Sequence, residues 1–121
     1  MPRSLVVKVT CGSEDPERMN QGFTVAAAAA AAGAPVSLWL TGEAAWYGVP
    51  GRAAEFDLPL ATPLPDLMLA VTASGGSITV CSQCAARRGI TDADLVEGVT
   101  IAGAAVFAEQ VLGDGVQALV Y

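Results

Sequence analysis

Cys81-Ser82-Gln83-Cys84 stands where a short β-prone run, Ser77-Ile78-Thr79-Val80, gives way to the Ala/Arg-rich stretch Ala85-Ala86-Arg87-Arg88-Gly89. A cysteine at such a strand-to-helix junction faces the free N–H groups and the positive end of the helix dipole, which favour thiolate over thiol. Cys81 is therefore the candidate nucleophile. Cys84, three residues on, falls on the same helical face and within reach of it, the arrangement of thiol–disulfide exchange and sulfur chemistry. Ser82 and Gln83 are polar and turn this segment toward water. Two cysteines at this spacing are also half of a zinc site, but zinc needs two further ligands and only Cys11 and carboxylates remain to supply them. No metal and no cofactor are expected. Buried packing is the common fate of a cysteine, and Cys11 fits either that role or an accessory thiol.

The chain contains no histidine. Ser-His-Asp and Cys-His catalysis and His-bound metals are thereby excluded within it. Lys8 is the only lysine and lies inside the first predicted strand, which leaves the terminal amine as the other Schiff-base candidate. Arg87 and Arg88 sit in the last turn before Gly89, where cations suit the helix dipole. A further, accessory role for them is to keep the site electropositive for an anionic sulfur. Glu14 and Asp15, just past Cys11, are read as helix-capping groups rather than acid/base groups.

The elements that must position these residues alternate. Leu5–Thr10 reads as a buried parallel strand ending at Cys11-Gly12. A helix follows, with Asp15 as N-cap and Pro16 at its first position, running through seven alanines, Ala26 to Ala32, to a stop at Gly33. Gly33 and Pro35 break this apolar stretch too early for a membrane span of about 20 residues. Pro35–Leu40 is the second strand, and Glu43–Tyr47 one helical turn carrying Trp46. Gly48–Pro65 is irregular, with a short strand expected near Phe56–Leu58. Asp66–Ala73 is a helix, Ser77–Val80 the strand that delivers Cys81, and Thr91 to Asp94 a capping-box-like start of a short helix to Glu97. Val99-Thr100-Ile101, a helix from about Ala102 to Leu112 and a strand from Val116 to Tyr121 close the chain. This alternation predicts an α/β fold, a parallel sheet with helices on both faces, as a single domain over residues 1–121. Strand ends then share one edge, so Cys11 and Cys81 are expected on the edge where open α/β sheets bind ligands.

Only 15% of the residues are charged and 53% are hydrophobic, against about 25% and 45–50% in average globular chains. So few charges cannot cover a small domain, and a homo-oligomer is expected. The net charge is −6, with the basic side chains scattered. Neither nucleic acid nor an anionic membrane surface is an expected partner. Leu5-Val6-Val7 is too short an apolar run for a signal peptide and Lys8 interrupts it, so a cytoplasmic location and free thiols are expected.

Val80-Cys81, three residues, then Ala85-Ala86-Arg87-Arg88-Gly89-Ile90 resembles the reactive-cysteine segment of the DsrE/DsrF-like family, which includes the DsrE and TusD sulfur-relay subunits. The opening strand, Gly12 and Glu14-Asp15-Pro16-Glu17-Arg18 before an alanine-rich helix are similar to the family's start, as is Leu67 to Gly75. The resemblance implies a three-layer α/β/α sandwich with a mostly parallel sheet of about five strands, assembly as trimers or hexamers, and a cysteine that carries sulfane sulfur as a persulfide. Only Cys81 matches that acceptor. The implied partners are sulfur donor and acceptor proteins or small persulfides. Cys84 departs from the relay subunits: it could expel sulfide from a Cys81 persulfide and leave a disulfide. A CxxC thiol–disulfide redox protein, or a non-enzymatic oligomeric module, stands as the alternative.

Overall fold

A computed structural model describes residues 3–121; Met1 and Pro2, and with them the terminal amine, lie outside the described residues. Strands β1 (Ser4–Val9), β2 (Val36–Leu40), β3 (Ser77–Cys81), β4 (Val99–Ala102) and β5 (Val116–Val120) form one sheet. Their order is β4-β3-β2-β1-β5, and every neighbouring pair is parallel. The helices are α1 (Pro16–Ala31), α2 (Arg52–Glu55), α3 (Leu64–Ala73), α4 (Ser82–Arg87) and α5 (Ala104–Val111), with 3₁₀ segments at Gly42–Gly48 and Asp92–Asp94. Among the described residues no helix is long and apolar enough to cross a membrane.

Side-chain alternation sorts the sheet into two unlike faces. Val7 and Val9 of β1, Leu38 and Leu40 of β2, and Ile78 and Val80 of β3 point to one face and pack with Met19 and Phe23 of α1 and Leu64 and Val71 of α3. Lys8, Trp39 and Thr79, in register across β1, β2 and β3, point to the other face. Trp39 is buried there under α5: Phe107 meets it edge-to-face at 5.4 Å, and Gln110 Oε1 accepts from both Trp39 Nε1 and Ser37 Oγ at 2.9 Å. Right-handed connections explain the division. The steps β1–β2–β3–β4 run one way along the sheet and leave α1 and α3 on the first face. The return from β4 to β5 runs the other way and throws α5 across the second. The three-layer α/β/α architecture follows, with one heavily covered face and one covered by a single helix, none of whose residues is fully buried.

Several local expectations are corrected. No strand forms near Phe56–Leu58; the chain instead makes the one-turn α2 at Arg52–Glu55, and Phe56 docks edge-on against Tyr47 at 6.1 Å. The Phe56 N–H bonds back to the Ala53 carbonyl as the cap of that turn and Pro59 ends the run after Leu58, so ring packing takes the place of strand pairing. Helix α3 begins at Leu64, two residues before Asp66, because Pro65 is tolerated in a first turn. The helix expected to reach Glu97 is only the 3₁₀ turn Asp92–Asp94, although its Thr91/Asp94 capping box does form. Asp15 occupies the N-cap position of α1 but makes no side-chain cap bond; its carboxylate pairs with Arg18 at 3.3 Å.

Gly22 shows how closely α1 lies on the sheet. A Cβ there would stand 2.5 Å from Cγ2 of Val9, a β-branched side chain locked in the core. Gly22→Ala should therefore lower the thermal midpoint, at a cost of about 1–3 kcal/mol from overpacking. The ordinary helix-interior effect of the same change is a gain of about 0.8–1 kcal/mol. An unchanged or raised midpoint in calorimetry overturns this account of the α1–sheet contact.

Candidate functional site

Strand β3 ends at Cys81 and α4 starts at Ser82 with no loop residue between them, so Cys81 is the N-cap of α4, in extended backbone at φ −63°, ψ 129°. The place is fixed by topology as well. The connection leaving β3 stays on the α1/α3 face, where Ala85 and Ile90 join the core, whereas the connection leaving β4 crosses to the other face as α5. Adjacent strands with diverging connections make the crevice in which open α/β sheets bind their ligands. Cys81 and Ala102, paired across β3 and β4, are the last residues of those two strands. Gly103 follows as the N-cap of α5, and a Cβ there would lie 3.1 Å from Ser82 Oγ. The starts of α4 and α5 thus open side by side at one rim, each with unpaired N–H groups.

Cys81 is half-buried. As a thiol it makes no capping hydrogen bond; its ionised form is what the surroundings favour. Burial pushes its pKa up, but the backbone N–H groups of Cys84 and Gln83, the Cys84 thiol and the Lys8 ammonium outweigh that and hold it below the usual thiol value. Cys84 is also half-buried, and its Sγ accepts the Gly42 N–H at 3.2 Å. Gly42 has φ +54°, and a Cβ on it would run into the Thr10 carbonyl oxygen, so only glycine brings this amide to the sulfur. Both thiols are free.

The remaining residues named from sequence lie as follows. Arg88 is tied down: its Nε bonds Glu43 Oε2 at 2.8 Å and its Nη1 the Cys84 carbonyl at 3.1 Å. Arg87 is exposed and reaches Gln83 Oε1 at 3.4 Å. The cation that acts on Cys81 is Lys8, held 4.7 Å over the Phe107 ring by α5. Cys11 ends its strand on the same edge but is buried on the α1 side, its thiol donating to the Asp15 carbonyl at 3.8 Å. Burial, then the charges of Asp15 and Glu14, push its pKa up, and Arg18 only partly offsets them. Glu14 Oε1 accepts the Gly12 N–H at 2.6 Å. Among the described residues no three Cys, Asp or Glu side chains gather as a metal site.

Lys8 and Gly42 were not foreseen. The strand parity of Lys8, opposite to Val7 and Val9, is visible in sequence; that parity and register carry it to the face of Cys81 is not. The dependence is measurable by alkylation of the native protein. Cys81 should react fastest, with a rate that rises with pH to a midpoint below that of free cysteine, while Cys11 should stay protected until unfolding. Lys8→Met should move the Cys81 midpoint upward and slow alkylation at pH 7 by roughly two- to fivefold, a fraction of a pKa unit at a partly screened site. An unmoved midpoint removes Lys8 from the site.

The chain is similar in fold to three solved structures. The ychN protein from E. coli superposes with a TM-score of 0.81 at 19% identity, covering 98% of this chain and 99% of that one. A protein of unknown function from Methanobacterium thermoautotrophicum gives 0.67 at 11% identity over 98% and 99% of the two chains. A conserved protein of unknown function from Bacteroides thetaiotaomicron gives 0.63 at 18% identity over 98% and 95%. No curated protein matches the sequence. The model of the DsrE/DsrF-like family matches residues 4–119, and the chain belongs to that family.

Proposed function

We propose that this protein is a sulfur carrier of the sulfurtransferase type, with Cys81 as the carrying atom. The Cys81 thiolate attacks the outer sulfur of a donor persulfide R–S–SH. The new bond joins Sγ to that sulfur, the S–S bond of the donor breaks, and RS⁻ leaves with the electron pair. A thiolate of a partner then takes the terminal sulfur and Cys81 is released. The carrying observation is the half-exposed Cys81 Sγ at the N-terminus of α4, held below the usual thiol pKa by two amides, a thiol and a lysine. Membership of the DsrE/DsrF-like family supports a sulfur-relay role. In this reading the exposed Val106, Leu112 and Val120 are covered by further copies in a trimer or hexamer, and the thiols are kept reduced in the cytoplasm.

One contact favours a second activity at the same site. Cys84 touches Cys81 and has its own backbone donor in Gly42 N–H. In this second reading its thiolate attacks Sγ of a Cys81 persulfide, forming a Cys81–Cys84 disulfide and expelling the terminal sulfur as HS⁻. That sulfur is reduced, the two thiols are oxidised, and an external dithiol resets the pair.

After exposure to a persulfide donor, the peptide containing Cys81 should gain the mass of one sulfur atom, removable by dithiol; Cys81→Ser should gain none and transfer none. A wild-type peptide without the extra sulfur, or a serine variant that transfers normally, overturns the carrier. Cys84→Ser should lengthen the life of the persulfide several-fold and suppress sulfide release. Equal lifetimes leave Cys84 a structural thiol.

A further inference from the structure

Beside the cysteine helix, at the same rim of the sheet, opens a polar cleft of about 230 Å³ with walls of Glu43, Trp46, Tyr47, Arg52, Glu55 and Phe56. Ser13 closes it from the β1–α1 loop. Two of its charged side chains, Arg52 and Glu55, are unpaired. Arg52 lies with its guanidinium 4.2 Å from the Trp46 ring centre. Among the described residues the ion pairs are Arg18–Asp15 and Arg88–Glu43, so neither Arg52 nor Glu55 has a charged partner. Stacking on Trp46 holds the guanidinium plane and leaves its N–H edge open for a bidentate oxyanion. Glu55, with the half-exposed Glu43 beside it, offers carboxylate oxygens to an ammonium. The rings of Trp46, Tyr47 and Phe56 form an apolar wall of the kind that sulfur contacts favourably.

The cleft and the thiols are mechanically joined. Glu43 follows Gly42, whose N–H is on Cys84 Sγ, and Arg88 bridges the Glu43 carboxylate to the Cys84 carbonyl. The volume is also selective: clefts for drug-sized ligands run to about 300–1,000 Å³, so this one takes a molecule of amino-acid size.

We propose that this cleft binds the α-ammonium and α-carboxylate of a low-molecular-weight cysteine-type persulfide, and that such molecules are sulfur donors to Cys81. The proposal rests on the carrier reading. The carboxylate docks on Arg52, the ammonium on Glu55, and the sulfur-bearing stem lies along the aromatic wall toward the cysteine helix. Transfer then runs as Cys81–S⁻ plus RS–SH to Cys81–S–SH plus RS⁻, with no net redox change and cysteine thiolate as the leaving group.

Two measurements on the full chain test it. S-methylcysteine, which cannot transfer sulfur, should bind in calorimetry, while its analogues lacking the ammonium or the carboxylate should bind at least about tenfold more weakly, the loss of one charge-assisted contact. Arg52→Ala and Glu55→Gln should weaken S-methylcysteine by a similar factor. In the kinetic arm, Arg52→Ala should slow persulfidation of Cys81 by cysteine persulfide about tenfold and leave the rate with inorganic hydrodisulfide, which has neither charged group, unchanged. Arg52→Lys should restore part of the loss. Absent S-methylcysteine binding, binding indifferent to Arg52, or equal slowing with both donors overturns the proposal. Arg52-dependent binding without persulfide from either donor overturns the carrier reading instead and leaves an amino-acid site.

Discussion

Everything at this rim depends on β3 handing its chain to α4 without a spacer. Cys81 is at once the last strand residue, fixed in register against Ala102, and the N-cap of a helix whose first amides are unpaired. One inserted residue would carry the sulfur off the helix axis and away from the Gln83 and Cys84 amides. The strand also sets how far the sulfur sinks. Burial works against ionisation, and only because donors converge on the same atom does the Cys81 pKa fall below the usual thiol value. The sulfur is half-buried yet acidic, a combination that neither a surface loop nor a closed core provides.

The rim is stiffened by backbone rather than by long side chains. Thr41 N–H and its hydroxyl both bond the Val9 carbonyl, at 2.9 and 3.0 Å, and Thr10 N–H bonds the Tyr121 carbonyl at 2.8 Å. Thr10 in turn leaves Gly42 no room for a side chain. That crowding aims the Gly42 amide at Cys84, so the second thiol is set by the ends of β1 and β2 although it belongs to α4. Pre-set donors cost no reorganisation when charge develops, the condition under which backbone amides are most effective.

What sequence could convey followed from locality. The β3–α4 junction, the start of α1 at Pro16 and its stop near Gly33 are local signals, and each element stands where its residues placed it. The parallel α/β sandwich was legible for the same reason, since strand and helix patterns alternate along the chain. Lys8 and Gly42 act across β1, β2 and β3, and no local pattern encodes the register that brings them to the thiols. The Gly48–Pro65 segment misleads because Phe56 looks strand-forming alone; its contact is Tyr47, on the preceding 3₁₀ segment. The arginines mislead in the opposite sense: Arg88 is consumed by Glu43 and the Cys84 carbonyl, Arg87 reaches only Gln83, and the distant lysine supplies the charge.

The two thiols set opposing requirements on a carried sulfur. Under the carrier proposal, a persulfide on Cys81 is useful in transfer only while it outlives the search for an acceptor, and the nearest competing nucleophile is Cys84. The Gly42 N–H donates to the Cys84 sulfur at 3.2 Å and fixes where that sulfur sits. Arg88 restrains the same residue from its carbonyl side, limiting how closely its sulfur can swing in line behind Cys81. In the proposed carrier, the balance between holding sulfur and expelling it as sulfide therefore rests on how the β2 end grips α4, and not on the identity of the cysteine at position 81.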